Sequence, residues 1–169
     1  MLQTATDSWY GLRTKSRFEK VAAASLAYKG YEPYLPCYRR RRRWSDRMTE
    51  IEAPLFPGYI FCRFDPGRRL PILTTPGVVG MVGFGRAPAP IPDHEIAATE
   101  TVLKSGLVSG PCSYLPAGQR IRIEEGALTG LEGVVVKSRK PVWRLVVSVT
   151  LLQRSVAVEI NREWACAIK

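Results

Sequence analysis

The order of hydrophobic and polar positions in the first part of the chain predicts strands that alternate with helices. Residues 9–14 are rich in apolar and aromatic side chains, which is typical of a strand. Apolar side chains from Phe18 to Leu26 then recur at helical spacing, which predicts a helix to about residue 29. Ser16 and Glu19 have the spacing of a capping box, and a glycine follows as the stop signal.

A further strand is predicted at residues 59–64, directly after two prolines that bracket an apolar pair. Side chains alternate across a strand, so this segment has two faces. One face suits a hydrophobic core and carries Ile60, Cys62 and Phe64. The other face combines two aromatic rings with a charge and carries Tyr59, Phe61 and Arg63. Two explanations of this second face stay open: a helix covers it, or a partner docks on it.

The other elements of the first hundred residues complete an α+β pattern. Residues 31–38 are predicted as an edge strand because two prolines interrupt them. Residues 66–75 are predicted as an irregular helical segment, residues 77–84 as a strand and residues 94–104 as a helix. Such an order is consistent with one sheet flanked by helices.

The pattern changes after residue 105. Glycine, proline and serine dominate residues 106–116, which predicts a linker, although its apolar residues also allow a short strand. From Gly118 onward the pattern is all-β, with five short strands separated by turns, as in a small barrel. The predicted organisation is an N-terminal domain over residues 7–105, this linker, and a C-terminal domain over residues 117–169.

The charge of the chain points to a class of partner. Lysine and arginine number 25 against 15 aspartate and glutamate, a net charge of +10, which favours a polyanion or an anionic surface. Five consecutive arginines precede Trp44, and such a run cannot pack into a core unless it is paired. Two explanations stay open: a solvated hairpin tip, or a nucleic-acid contact in which guanidinium groups bind phosphates and Trp44 stacks on a base.

The sequence contains no recognisable catalytic or metal-binding motif. His94 is the single histidine, and the four cysteines are scattered without a C-x-x-C pair. No apolar run approaches the ~20 residues that span a bilayer, and the polar N-terminus has no signal-peptide pattern. We therefore expect a cytoplasmic, monomeric, non-enzymatic protein with free thiols, no metal, no cofactor and no membrane contact.

The stretch Pro54-Leu55-Phe56-Pro57-Gly58-Tyr59-Ile60-Phe61 resembles the signature strand of the NusG family of transcription elongation factors. The following Phe64-Asp65-Pro66 is similar to RfaH-like paralogues of that family. Residues 118–136 and 144–154 resemble its KOW domain. The resemblance implies an N-terminal α/β sandwich (the NGN domain), with an antiparallel sheet flanked by helices, followed by a small five-stranded, SH3-like KOW β-barrel.

The resemblance also implies partners and contact residues. In the family, an apolar groove docks on the clamp helices of the largest RNA polymerase subunit, at positions that match Tyr59, Phe61, Phe84 and Ile96. A loop that reaches the gate loop of the second-largest subunit matches Arg68, Arg69 and Leu70. Contact with non-template DNA is implied for Lys15, Arg17, Lys20, Lys29, Arg39, Arg40, Arg41, Arg42, Arg43 and Trp44. Contact with a small-subunit ribosomal protein or with Rho is implied for Leu128, Leu151, Leu152 and Arg154.

Two further expectations concern the C-terminal domain. Its valine runs favour a stable β-barrel over the helical hairpin to which the RfaH C-terminal domain can refold. A ribosome-associated or RNA-binding KOW protein is the alternative function. That alternative predicts arginines spread over both domains and a covered Tyr59/Phe61 face.

Overall fold

The computed structural model describes residues 7–112, 114, 118–137 and 143–168. The described helices are α1 (Glu19–Tyr28), α2 (Leu70–Leu73) and α3 (Asp93–Lys104). The described strands are β1 (Ser8–Thr14), β2 (Glu32–Tyr34), β3 (Cys37–Trp44), β4 (Arg47–Pro54), β5 (Tyr59–Phe64), β6 (Val78–Met81), β7 (Gly83–Phe84), β8 (Ala87–Pro88), β9 (Pro90–Ile91), β10 (Ser109–Cys112), β11 (Gln119–Ile123), β12 (Glu132–Lys137), β13 (Trp143–Val149), β14 (Arg154–Ile160) and β15 (Ala165–Ala167). The mixture of sheets and helices confirms the predicted α+β class.

The chain divides into two compact units. The first unit contains residues 7–36 and 56–93, and the second contains residues 37–55 and 94–168. The β3–β4 hairpin and nearly all of α3 therefore group with the C-terminal strands. This division does not follow the predicted domain boundary after residue 105, which stays a prediction. Within the predicted linker, residues 109–112 form β10, which pairs with β14.

The first unit is built on an antiparallel sheet in the order β2-β5-β1-β6, with β9 also paired to β1. Its core confirms the predicted inner face of β5. The core residues are Tyr10, Leu12, Ala22, Leu26, Ile60, Cys62, Phe64 and Ile72. Burial of these side chains of β1, β5, α1 and α2 supplies the main hydrophobic stabilisation of the unit.

The start of α1 differs from the predicted capping box. The helix begins at Glu19, with Phe18 at the N-cap and no side-chain capping bond. The buried Glu19 carboxylate instead accepts a hydrogen bond from the backbone N of Gly58 at 2.9 Å. The carboxylate is thus committed to the tight turn before β5, where Gly58 has a φ of +84°. A long-range contact has replaced the local cap.

The arginine run also differs from the prediction. We expected a hairpin tip, but Arg39 to Arg43 lie within β3, and each pairs with a residue of β4. The tip is the two-residue turn of Ser45 and Asp46. Two carboxylates, two β-branched residues and Met48 of β4 oppose the five arginines and complete an antiparallel ladder.

The second unit contains a six-stranded antiparallel sheet in the order β10-β14-β13-β12-β11-β15. The five predicted strands correspond to β11–β15, and β10 adds a sixth. Gly133 is required where β12 crosses β13, because a Cβ there would lie 2.6 Å from the carbonyl oxygen of Val146. The valine-rich segments are strands, as their propensity predicts.

Three further observations concern the thiols, the helix lengths and the metal-ligating side chains. All four cysteines are free thiols. Among the described residues, no helix has the length and apolar character to cross a membrane, and no group of three or more metal-ligating side chains occurs.

Truncation of the β1 core should be far more costly than the same truncation at the surface. Leu12 is fully buried, whereas Leu70 is 69% exposed. We expect Leu12→Ala to lower the free energy of unfolding by about 2–5 kcal/mol, and Leu70→Ala to change it by less than about 0.5 kcal/mol. Urea unfolding followed by circular dichroism measures both. Equal losses would contradict the assignment of Leu12 to the core.

The thiol of Cys62 should make stability depend on alkaline pH. Burial, with a smaller contribution from the Glu32 charge, raises the pKa of Cys62 from 9.0 to about 12. Above pH 9 the unfolded chain releases this proton while the folded chain keeps it, so stability falls as pH rises. The slope should approach about 1.4 kcal/mol per pH unit between pH 9 and 11. The Cys62→Val variant lacks this thiol, so the slope of its unfolding free energy against pH should be smaller by about 1.4 kcal/mol per pH unit. Unfolding curves recorded at each pH compare the two proteins.

Candidate binding surfaces

The outer face of β5 is an aromatic cluster rather than an open groove. Phe61 has 0% exposure. Its ring lies against Tyr34 with centroids 6.2 Å apart and against Phe56 with centroids 5.8 Å apart. The sequence analysis considered a covering helix, whereas these two rings belong to β2 and to the segment before β5. Partner docking at this face stays a prediction. Tyr59, on the same face, is half-buried.

Arg63 on this face is held by three neighbours, one of which is the Asp7 carbonyl oxygen, 3.4 Å from its Nε. Its guanidinium lies 5.7 Å from the ring centroid of Trp9 and donates to the Asp93 carboxylate at 2.8 Å. The cation–π contact follows from strand register, because Trp9 and Arg63 are directly opposed in the β1–β5 pair. Arg63 is therefore a structural element of this face.

One accessible apolar surface of the first unit lies near α2 and the β7–β8 hairpin, and another lies on α1, where Val21 and Tyr28 are exposed. Phe84 is 77% exposed, and Arg68, Arg69 and Leu70 are also exposed. A shallow groove of about 150 Å³ is lined by Arg69 and Leu73 on one side and by residues 85–88 of the β7–β8 hairpin on the other. The structure thus brings Arg69, predicted to reach one polymerase subunit, close to the hairpin that carries Phe84, predicted to bind the other.

Ile96, the fourth predicted groove residue, belongs to the second unit. It lies on α3 and is 4% exposed. The sequence analysis assigned Ile96 to the same surface as Tyr59, because Ile96 matches a position of the apolar groove in the family. Its burial makes it a core residue in this conformation.

The β3–β4 hairpin has two chemically different faces. Opposed residues in an antiparallel pair project to the same face. One face carries the opposed pairs Arg39 and Glu52, Arg41 and Glu50, and Arg43 and Met48. The other carries Arg40 and Ile51, Arg42 and Thr49, and Trp44 and Arg47. We call the first the paired face and the second the open face.

Contacts within the hairpin agree with this division. On the paired face, Arg41 Nε lies 3.6 Å from a Glu50 carboxylate oxygen. On the open face, the Arg42 guanidinium lies 5.5 Å from the Trp44 ring centroid. Arg47 was missed from the sequence, although its position three residues beyond Trp44, across the two-residue turn, could have indicated it.

The predicted basic residues near α1 differ in availability. Lys15 and Arg17 are exposed, and Arg17 has a φ of +66° in the turn before the helix. Lys29 Nζ donates to the Pro71 carbonyl oxygen and to Thr75 Oγ1, both at 2.9 Å. Lys20 is exposed on α1. Lys29 therefore has a defined internal role, which fixes its ammonium group beside α2.

The predicted partner residues of the second unit also differ in exposure. Leu128 and Leu152 are buried, whereas Leu151 is half-buried and Arg154 is exposed. The turn at Thr150–Leu152 is anchored by α3, because the Glu95 carboxylate accepts from Thr150 N at 3.1 Å and from Thr150 Oγ1 at 2.7 Å. A groove of about 270 Å³ lies beside this contact.

Three arginines of the second unit's six-stranded sheet are paired with carboxylates. Arg122 Nε donates to Glu132 at 2.9 Å, and Arg120 lies 3.5 Å from the same carboxylate. The hydrogen bond from Arg122 and the positive charges beside it lower the pKa of Glu132. Arg144 lies 3.7 Å from Glu159. These cations are partly neutralised, unlike those of the open face.

Comparisons with known proteins agree with one another. Residues 7–100 match the family model described as "NusG: Transcription termination factor nusG". The chain is 30% identical over 175 residues to "Transcription termination/antitermination protein NusG" of Escherichia coli K12, with 95% of this chain and 96% of that protein covered. It is 28% identical over 152 residues to the protein of the same description from Pseudomonas aeruginosa, with 87% and 85% covered.

A solved structure shares the fold. It is described as "Domain interaction in Thermotoga maritima NusG", with a TM-score of 0.55 and 20% sequence identity. The match covers 96% of this chain and 98% of that one.

Removal of the Glu95 carboxylate should loosen the Thr150–Leu152 turn. Two hydrogen bonds would be lost, and we expect exchange of the Thr150 amide hydrogen to accelerate about five- to tenfold, equivalent to about 1 kcal/mol. Hydrogen exchange measured by NMR compares the Glu95→Ala variant with the unaltered protein. Glu100→Ala on the same helix is the control, since Glu100 pairs with Lys104 at 2.7 Å and not with this turn. An unchanged Thr150 rate in Glu95→Ala would refute the anchor.

Proposed function

The chain belongs to the NusG family of transcription termination and antitermination factors, and we propose that it is a specialised, RfaH-like paralogue that binds RNA polymerase and favours processive elongation. The observation that carries this proposal is the family match over residues 7–100. It acts without a catalytic step or cofactor, as a monomer in the cytoplasm.

The polymerase contact is assigned to the N-terminal domain. Tyr59 and Phe84 bind the clamp helices of the largest subunit, while Arg68, Arg69 and Leu70 reach the gate loop of the second-largest subunit. The support is the accessibility of these side chains and the groove between α2 and the β7–β8 hairpin. Exposed aromatic and arginine side chains are the residue types that dominate interface energy.

Phe61 and Ile96 act differently in this proposal. Both are buried, and a side chain without exposed surface touches a partner only after its cover moves. Phe61 first serves to position Tyr34 and Phe56, whose rings it contacts. Direct contact of Phe61 and Ile96 with the clamp helices then requires a rearrangement on binding, as occurs in a minority of complexes.

Bridging two sides of the polymerase cleft explains the effect on elongation. A factor that contacts both the clamp and the opposite lobe binds the closed conformation more tightly than the open one. It therefore shifts the population toward the closed, elongating state by its differential affinity. No chemical change in the polymerase is needed.

Nucleic acid and a second partner complete the proposal. Basic residues near α1 and on the β3–β4 hairpin contact the non-template DNA strand exposed in the transcribing complex. The KOW domain recruits a small-subunit ribosomal protein or Rho through Leu151 and Arg154, while the buried Leu128 and Leu152 hold that surface in shape. The two recruitment partners stay alternatives.

The alternative of a ribosome-associated or RNA-binding KOW protein has one observation in its favour. It expects a covered Tyr59/Phe61 face, and Phe61 is buried. It also expects RNA-gripping arginines in the C-terminal domain, yet Arg120 and Arg122 lie beside Glu132 and Arg144 lies beside Glu159. The family match over residues 7–100 favours the polymerase.

Loss of the two accessible aromatic anchors, the half-buried Tyr59 and the exposed Phe84, should weaken polymerase binding. We expect Tyr59→Ala combined with Phe84→Ala to raise the Kd for purified core RNA polymerase about thirtyfold, the scale of one interface hot spot. Fluorescence anisotropy of the labelled full chain measures this Kd.

Tyr28→Ala is the matched control, because Tyr28 is exposed on α1 and outside the proposed contact. It should leave the Kd unchanged. Ribosomal subunits are titrated in parallel. Tight binding to ribosomal subunits, with none to polymerase, would establish the alternative instead.

A further inference from the structure

We propose that only one face of the β3–β4 hairpin, the open face, contacts the unpaired strand of the proposed function. The open face consists of Arg40, Arg42, Trp44, Arg47, Thr49 and Ile51. This inference deepens the proposed function, on which it rests for the origin of the strand. It also reduces the number of arginines of the run that contact nucleic acid, because Arg39, Arg41 and Arg43 are assigned to a different face.

The first step is the separation of the arginines by strand geometry. Successive side chains of a strand point to opposite sides, so five consecutive arginines cannot form one patch. The register assigns Arg40 and Arg42 to the side of Trp44, and Arg39, Arg41 and Arg43 to the other side. The Arg42–Trp44 contact at 5.5 Å independently places these two side chains together.

The second step is the charge of each face. The paired face opposes its three arginines with Glu50 and Glu52, and the Arg41–Glu50 ion pair is formed. The open face has three arginines, including Arg47, and no acidic residue in the ladder. Within the part of the chain that the structure describes, no ion pair to these three guanidiniums is present. Uncompensated guanidinium forks are the groups that bind phosphate bidentately.

The third step concerns the kind of nucleic acid. Trp44 is 69% exposed at the end of the open face, although burial is the usual state of so large a ring. An exposed indole beside phosphate-binding arginines provides a platform on which an unpaired base can stack. Bases within a duplex do not offer their faces for stacking. An exposed tryptophan among cations therefore favours a single strand.

The test compares two double variants with the same change in net charge. Arg40→Ala/Arg42→Ala removes two open-face cations, and Arg39→Ala/Arg41→Ala removes two paired-face cations. Binding of each full-length protein to a fluorescein-labelled 12-nucleotide DNA of mixed sequence is measured by anisotropy. The same sequence is also tested as a duplex and as single-stranded RNA, over a range of salt concentrations.

We expect the open-face double variant to lose at least about tenfold in affinity for the single strand. The slope of log K against log salt should fall by about 1.4, since each phosphate contact on a single strand contributes about 0.7. The paired-face double variant should lose less than about threefold. Trp44→Ala should lose about tenfold with an unchanged salt slope, because stacking rather than charge is removed. Met48→Ala is its matched control on the paired face and should not change affinity.

Three results would overturn the inference. Equal losses in the two arginine double variants would mean that net charge alone governs binding. Duplex binding as tight as single-strand binding would remove the role of Trp44 as a stacking platform. No binding of the unaltered protein to any oligonucleotide would remove the site altogether. Equal binding of DNA and RNA supports the inference, because stacking does not distinguish them.

The same proteins are titrated with core RNA polymerase to separate this inference from the proposed function. Both arginine double variants should keep the polymerase Kd of the unaltered chain if contact is made through Tyr59 and Phe84. A chain that binds the oligonucleotide but not the polymerase would sustain the hairpin assignment while refuting the proposed function. Thermal unfolding of each variant verifies that the exposed substitutions leave the fold intact.

Discussion

The antiparallel pairing of β1 with β5 is the constraint on which the first unit depends. Leu12 opposes Ile60 and Tyr10 opposes Cys62, so four buried side chains meet on one side of the two strands. Because side chains alternate, the same register fixes what lies on the other side. There Gly11, which has no side chain, opposes Phe61. The core and the aromatic outer face are thus two consequences of a single alignment, and neither can shift by one residue without exchanging places with the other.

That alignment explains which predictions from the sequence were sound. The inner face of β5 was predictable because alternation is a local property, and α3 because its apolar spacing is also local. The role of Glu19 was not predictable in this way. Its carboxylate binds Gly58 N, which lies 39 residues away in sequence, and this contact displaces the expected capping box. The anchor from Glu95 to Thr150 spans 55 residues and carries no local signal either.

The candidate contact residues also show that local sequence does not determine long-range packing. Sequence comparison identified positions such as Phe61, Ile96 and Leu128, but exposure depends on what the rest of the chain places over them. All three are buried, whereas Phe84 lies on a two-strand hairpin that holds it in solvent. Burial does not remove a residue from function, since a buried ring fixes the orientation of its exposed neighbours. In the observed conformation such a residue supports its neighbours and touches no partner directly, and that distinction needs three-dimensional packing.

The arginine run illustrates how register converts composition into chemistry. The tight turn of Ser45 and Asp46, in which Ser45 adopts a φ of +53°, sets Trp44 opposite Arg47. If one more residue entered this turn, Trp44 would oppose Met48 and the even-numbered arginines would oppose Glu50 and Glu52. The cations beside the tryptophan would then be neutralised, and the free cations would lie on the side without an aromatic ring. The arginines that share the face of Trp44 have no opposing carboxylate in the observed register, and a one-residue shift would remove that property. A serine held in a backbone conformation that glycine adopts more readily therefore sets the register on which the proposed binding surface depends, although its own side chain need touch no ligand.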